Sequence, residues 1–105
     1  MRVGELFKIE PDEWGLRGDQ ILWRELAETL ADTPMPADLP HLERLLEDAF
    51  WEATGQSLAF STEFTVPRFA EEGKTRGGIS GAIWRYRLFP MIIRKYVEIA
   101  ADAAA

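Results

Sequence analysis

The sequence predicts an α+β domain in which three to four helices pack on a small antiparallel sheet of short strands. Three observations point there. Apolar residues recur at helical spacing over roughly residues 20–31, 42–53 and 79–100. Between the second and third of these stretches, residues 58–70 lose that period and turn to aromatic and β-favouring side chains. With 105 residues and no repeat or linker, the chain has room for one hydrophobic core, so residues 1–105 are read as a single domain.

The elements follow in order. Leu6-Phe7-Lys8-Ile9 reads as a short strand ended by Pro11 and the turn Asp12-Glu13, and Trp14-Gly15-Leu16-Arg17-Gly18 as a loop pinned by its two apolar side chains. Asp19 is placed to cap a first helix, from about Gln20 to Ala31, because its carboxylate can accept from the unpaired N–H groups at the positive end of the dipole. Leu22, Trp23, Leu26, Ala27 and Leu30 form its buried stripe, and Thr33-Pro34-Met35-Pro36 stops it. A second helix starts near Asp38 or Leu39 with Pro40 in its first turn. It carries Leu42, Leu45, Leu46, Ala49, Phe50 and Ala53 at regular helical steps and ends at Gly55, which supplies a left-handed residue.

Phe60, Thr62, Phe64 and Val66 share one face at period two and predict a strand, placed at an edge because Pro67 cannot donate to a ladder. Paired with residues 6–9, it supplies the small sheet. Ser80 is the cap of a last helical region, with Ile79 and Trp84 spaced as a hydrophobic staple. Pro90 should kink or split that region near Leu88-Phe89. Beyond it, Phe89, Ile92, Ile93, Tyr96, Val97 and Ala100 continue a helical stripe, and Asp102-Ala103-Ala104-Ala105 should fray.

Composition narrows the function classes. The net charge of −6 argues against general nucleic-acid binding, which needs a surplus of cations on the contacting face. The charge is uneven. Residues 1–66 hold 14 acidic against 5 basic side chains, a balance of −9, and residues 67–105 hold 4 against 7, a balance of +3. Attraction between the two parts within the fold is the plain explanation. The sequence has no cysteine, which excludes disulfides, thiolate metal sites and cysteine nucleophiles. Neither a signal-peptide pattern nor an 18-residue apolar run occurs, so the expectation is a soluble cytoplasmic protein without a membrane segment.

The candidate site is Gly73-Lys74-Thr75-Arg76-Gly77-Gly78-Ile79-Ser80, a basic glycine-rich loop running into a helix start. Unpaired N–H groups and the macrodipole attract anions there, and Gly77 and Gly78 permit close approach to the main chain. Gly73-Lys74-Thr75 imitates the end of a phosphate-binding loop, but residue 68 is Arg where that motif requires glycine. The looser expectation is an anion or acidic-partner site formed by Arg17, Arg68, Lys74, Arg76, Gly77, Gly78 and Ser80, with Trp14 as an aromatic wall. A solvated loop whose cations balance the acidic N-terminal part is the simpler alternative.

Other motifs favour plain readings. Arg17-Gly18-Asp19 matches an adhesion tripeptide that arises often by chance, and helix capping accounts for Asp19. His41 is the only histidine, so no histidine pair for a metal exists within the chain, and its place in the first turn of a helix needs no catalytic role. Glu43, Glu47 and Asp48 read as a solvated acidic face. Of the four tryptophans, Trp14 and Trp51 are the ones left for a partner, since Trp23 and Trp84 belong to apolar stripes.

Taken together, Trp14-Gly15-Leu16-Arg17-Gly18-Asp19-x-x-Leu22-Trp23, Phe64-x-Val66-x-Arg68-Phe69 and Gly77-Gly78-Ile79-Ser80-x-x-x-Trp84-Arg85 resemble a family of small uncharacterised bacterial proteins across roughly residues 14–96. The resemblance implies a bacterial cytoplasmic protein and brings no activity, cofactor or substrate. The functional expectation is a non-enzymatic binding or interaction module, with a protein partner or a second copy of itself as ligand and no cofactor or metal. A small acidic protein that masks a basic partner is a variant using another face. A small enzyme or carrier for a phosphorylated or carboxylated metabolite at the 73–80 loop is the alternative.

Overall fold

The computed structural model describes residues 1–12, 14, 17–55, 79 and 83–104. A 3₁₀ turn at Val3–Phe7 leads to helix α1 (Arg17–Thr29) and helix α2 (Leu39–Thr54). A π-helical turn at Trp84–Leu88 then runs directly into helix α3 (Phe89–Ala104). The described residues are mostly helical, with no strand or sheet among them, so the α+β expectation is corrected to a helical arrangement there. The segment expected as a first strand forms the 3₁₀ turn and its exit. Val3, Leu6 and Phe7 are buried at helical, not alternating, spacing, so a turn places all three in the core where a strand would have split them between faces. The expected strand over 58–66 lies outside the described residues.

Main-chain pairing at the N-terminus is confined to a clasp. Val3 N donates to Thr33 O at 2.8 Å and Met35 N to Met1 O at 3.2 Å, with Arg2 and Pro34 forming an isolated antiparallel bridge. The clasp sets the 3₁₀ turn against the end of α1 so closely that a Cβ on Gly4 would stand 2.8 Å from Ala31 Cα. Glycine is required there by contact.

Helix α1 begins at Arg17, three residues earlier than the capping pattern predicts, and Asp19 lies within its first turn instead of at its cap. Buried Leu22, Trp23 and Leu26 follow the expected stripe. Helix α2 matches its sequence signals. Asp38 in extended conformation accepts from His41 N, Pro40 sits in the first turn, and Gly55 closes the helix at φ +71° while its N–H donates to Trp51 O. Leu42, Leu46 and Phe50 are buried at steps of four, each contributing about 1.5–3 kcal/mol of hydrophobic stabilisation.

Pro90 leaves its mark where the sequence indicates, by a different device. The chain stays helical, and the turn before the proline widens so that Phe89 N donates to Trp84 O, five residues back. Helix α3 then continues to Ala104, through the segment expected to fray. Phe50 stands 5.7 Å from Trp84 and 5.9 Å from Phe89, while the Tyr96 hydroxyl donates to Pro36 O just before α2. Residue numbers thus fall on one helix as they rise on the other, and α2 and α3 are antiparallel.

Aromatic rings join the layers. Trp23 meets Phe7 at 5.0 Å, Trp14 at 5.5 Å and Trp84 at 6.1 Å, and Trp84 meets Phe89 at 5.5 Å. Inside this cluster Asp19 is buried and accepts from Trp84 Nε1 at 3.0 Å, and the Trp23 indole donates to Phe7 O at 3.2 Å. Both buried indole donors are thereby satisfied, as burial of Trp demands.

Candidate binding cleft

The 3₁₀ turn exits along the start of α1, and a cleft of about 450 Å³ opens between them. Phe7, Trp14 and Trp23 form its aromatic side, while Gln20 and Arg24 border it from α1 and Lys8 from the exit of the turn. Trp14 is half-buried, edge-on to Trp23 with 75° between ring planes, so part of its surface remains open. Arg17 is exposed in the first turn of α1, three and seven residues ahead of Gln20 and Arg24. That spacing puts the three on one side of the helix. Lys8 pairs with Glu5 at 3.1 Å, and Glu10 supplies a carboxylate at the border.

Of the residues expected to form the site, the structure therefore brings Trp14 to the cleft and Arg17 to the helical row that borders it. Arg68, Lys74, Arg76, Gly77, Gly78 and Ser80 lie outside the described residues, while Ile79 is fully buried in the core. Gln20, Arg24 and Lys8 were not among the expected site residues. For Gln20 and Arg24 the signal was the i, i+3, i+7 spacing from Arg17, hidden when Arg17 is read as part of a loop, while for Lys8 the sequence carries no such signal.

The His41 ring Nδ1 stands 2.6 Å from Asp38 Oδ1, with both side chains largely exposed. The same carboxylate oxygen accepts from His41 N at 3.0 Å, so this pair closes the start of α2. Donation from His41 holds the Asp38 carboxyl below its ordinary value, the backbone N–H contributing most. Among the described residues no group of three or more histidine or carboxylate side chains is placed to share a metal ion, and no helix is long and apolar enough to cross a membrane. The cleft places ring faces and edges beside the Arg24 guanidinium, the Lys8 ammonium and the Glu10 carboxylate. Comparison of the chain with protein families, curated proteins and solved structures finds no match.

Proposed function

We propose that this chain is a non-enzymatic, cytoplasmic binding module that takes an acidic segment of a partner protein, a second copy of itself included, in the cleft between the 3₁₀ turn and α1. The observation that carries the reading is the meeting of Trp14 with Gln20 and Arg24 at one opening, with Arg17 one turn ahead of Gln20 in the same helical row. An acidic peptide with an aromatic or aliphatic anchor would set the anchor against Trp14 and Trp23 and its carboxylates against the guanidinium groups. Arg68, Lys74 and Arg76 extend this proposal on sequence grounds, as cations of the basic C-terminal third. The resemblance to small bacterial proteins fits the reading without adding an activity.

Titration with an acidic peptide carrying one aromatic residue, followed by backbone amide shifts, tests it. Shifts should centre on Trp14, Arg17, Gln20 and Arg24, and an Arg17→Ala/Arg24→Ala variant should bind on the order of tenfold or more weakly, as expected when charged hydrogen bonds are removed. Equal binding by that variant, or shifts elsewhere, would rule the cleft out. Inorganic phosphate and nucleotides run in parallel separate this proposal from the metabolite alternative, which requires shifts centred on Gly77–Ser80.

A further inference from the structure

A second opening, of about 310 Å³, lies between α2 and α3 and shares no lining residue with the cleft. Its floor is apolar: Leu46 from α2 and Phe89, Pro90 and Ile93 from the start of α3. Glu43 and Glu47 border it on the α2 side, and Arg85, whose guanidinium lies 5.8 Å over the Tyr86 ring, lies on the other.

The antiparallel pairing of the helices fixes what lies at either end. On α2 the row Glu43, Glu47 continues four residues on to Trp51, level with the π turn, and on α3 the row Pro90, Ile93 continues to Val97, level with the start of α2. Trp51 is 55% exposed and Val97 50%. Two of the four large apolar side chains that stand most open to water among the described residues, Trp51 and Val97, thus belong to the two helices that build this groove. Large exposed apolar groups around a concave apolar floor mark an interaction surface.

Charge names the occupant. Helix α2 carries four carboxylates, Glu43, Glu47, Asp48 and Glu52, against one guanidinium, Arg44, and two of those carboxylates stand at the groove's edge. We propose that the α2–α3 groove docks a cationic amphipathic helix of a partner protein. Its apolar side chains, at i, i+3 or i+4, and i+7, would lie on Leu46, Phe89, Pro90 and Ile93, and its lysines or arginines would face Glu43 and Glu47. Eight residues of α2 between Glu43 and Trp51 rise about 12 Å, so a partner helix of two to three turns spans the groove. A second copy is the weaker occupant, because α3 carries Glu98 and Asp102 as well as Arg94 and Lys95 and so offers no net positive charge to Glu43 and Glu47. The inference is independent of the cleft, since acidic-peptide binding there can fail while this stands.

The probe is a synthetic helical peptide of leucine and lysine with leucine at the stated spacing, titrated into the full chain and followed by peptide anisotropy and by Trp51 emission, with Trp51→Ala as the emission control. The peptide should bind, its affinity should fall on the order of tenfold from low to high salt, and the Glu43→Lys/Glu47→Lys variant should lose at least as much. Ile93→Glu should also abolish binding. If that variant loses its helical circular dichroism, the surface charge variant, which disturbs no core residue, decides alone. Equal binding of a scrambled peptide, equal binding of a peptide with glutamate in place of lysine, or no binding would each overturn the proposal. So would self-association of the unmodified chain in light scattering that disappears in the charge variant.

Discussion

Asp19 and Trp84 show how much one residue pair can determine. A carboxylate with no exposed surface accepts from an indole 65 positions away at 3.0 Å, and so ties the first turn of α1 to the π turn. Asp19→Ala leaves a buried indole donor without this acceptor, and urea unfolding should show a loss of about 1–3 kcal/mol. Trp84→Phe should cost less in the Asp19→Ala background than in the unaltered protein, and equal costs in the two backgrounds would mean that the bond contributes nothing. The sequence marks Asp19 as polar next to a helical stripe, which is equally the signature of a cap, and only the distant tryptophan decides between the roles. Asp38 is the opposite case, because its capping role was readable from Pro40 two positions on and the apolar steps that follow. Its folded-state value lies below the ordinary 3.8, so its stabilisation is fully present above the unfolded value and is lost as pH falls through the lower folded one. Asp38→Asn keeps an acceptor but not the titration. Stability profiles of the two proteins should therefore converge in that acidic window, and parallel profiles would refute the assignment.

At the scale of elements, the helices with complete end signals were legible and the others only in part. Helix α2 has a cap, an early proline, an unbroken stripe and a terminal glycine, and its observed bounds follow from these. Gly55 has no neighbour within 4 Å of a Cβ built on it, so Gly55→Ala tests backbone conformation alone. It should cost about 1 kcal/mol by denaturant titration, and Gly55→Asn should cost less. The N-terminal segment misled because five residues give too little sequence to separate period two from period three, and Val3 completes the pattern only once the clasp to Thr33 and Met35 is known. The distortion before Pro90 was foreseeable from the missing N–H, but its form depended on packing. A widened turn lets Trp84 and Leu88 share the buried side with Ile92, where a break would have released one of them. The same local ambiguity hid half of the cleft, since Arg17 in a loop has no fixed relation to Gln20 and Arg24, whereas Arg17 in a helix aligns with both.

Across the whole molecule, the short N-terminal turn closes the arrangement. Val3 and Leu6 are completely buried, Phe7 nearly so, and Gly4 rests on the backbone of Ala31. Gly4→Ala should push the turn off α1 and lower stability by about 1–3 kcal/mol, read as a fall in melting temperature. An unchanged melting temperature would mean that the clasp yields without loss. The uneven charge of the chain was visible from the sequence, yet its arrangement was not. Cations and tryptophan line the cleft by α1, while carboxylates flank an apolar groove at α2, so the two proposals call for ligands of opposite sign. Between them, Trp14 at the cleft, Trp23, Trp84 and Phe89 at the groove stand ring to ring at 5.5 to 6.1 Å. Chromophores that close share their excited states. The near-ultraviolet dichroism of this protein should therefore behave as the spectrum of one coupled array, in which disturbing a ring at either mouth reshapes the band of the entire file.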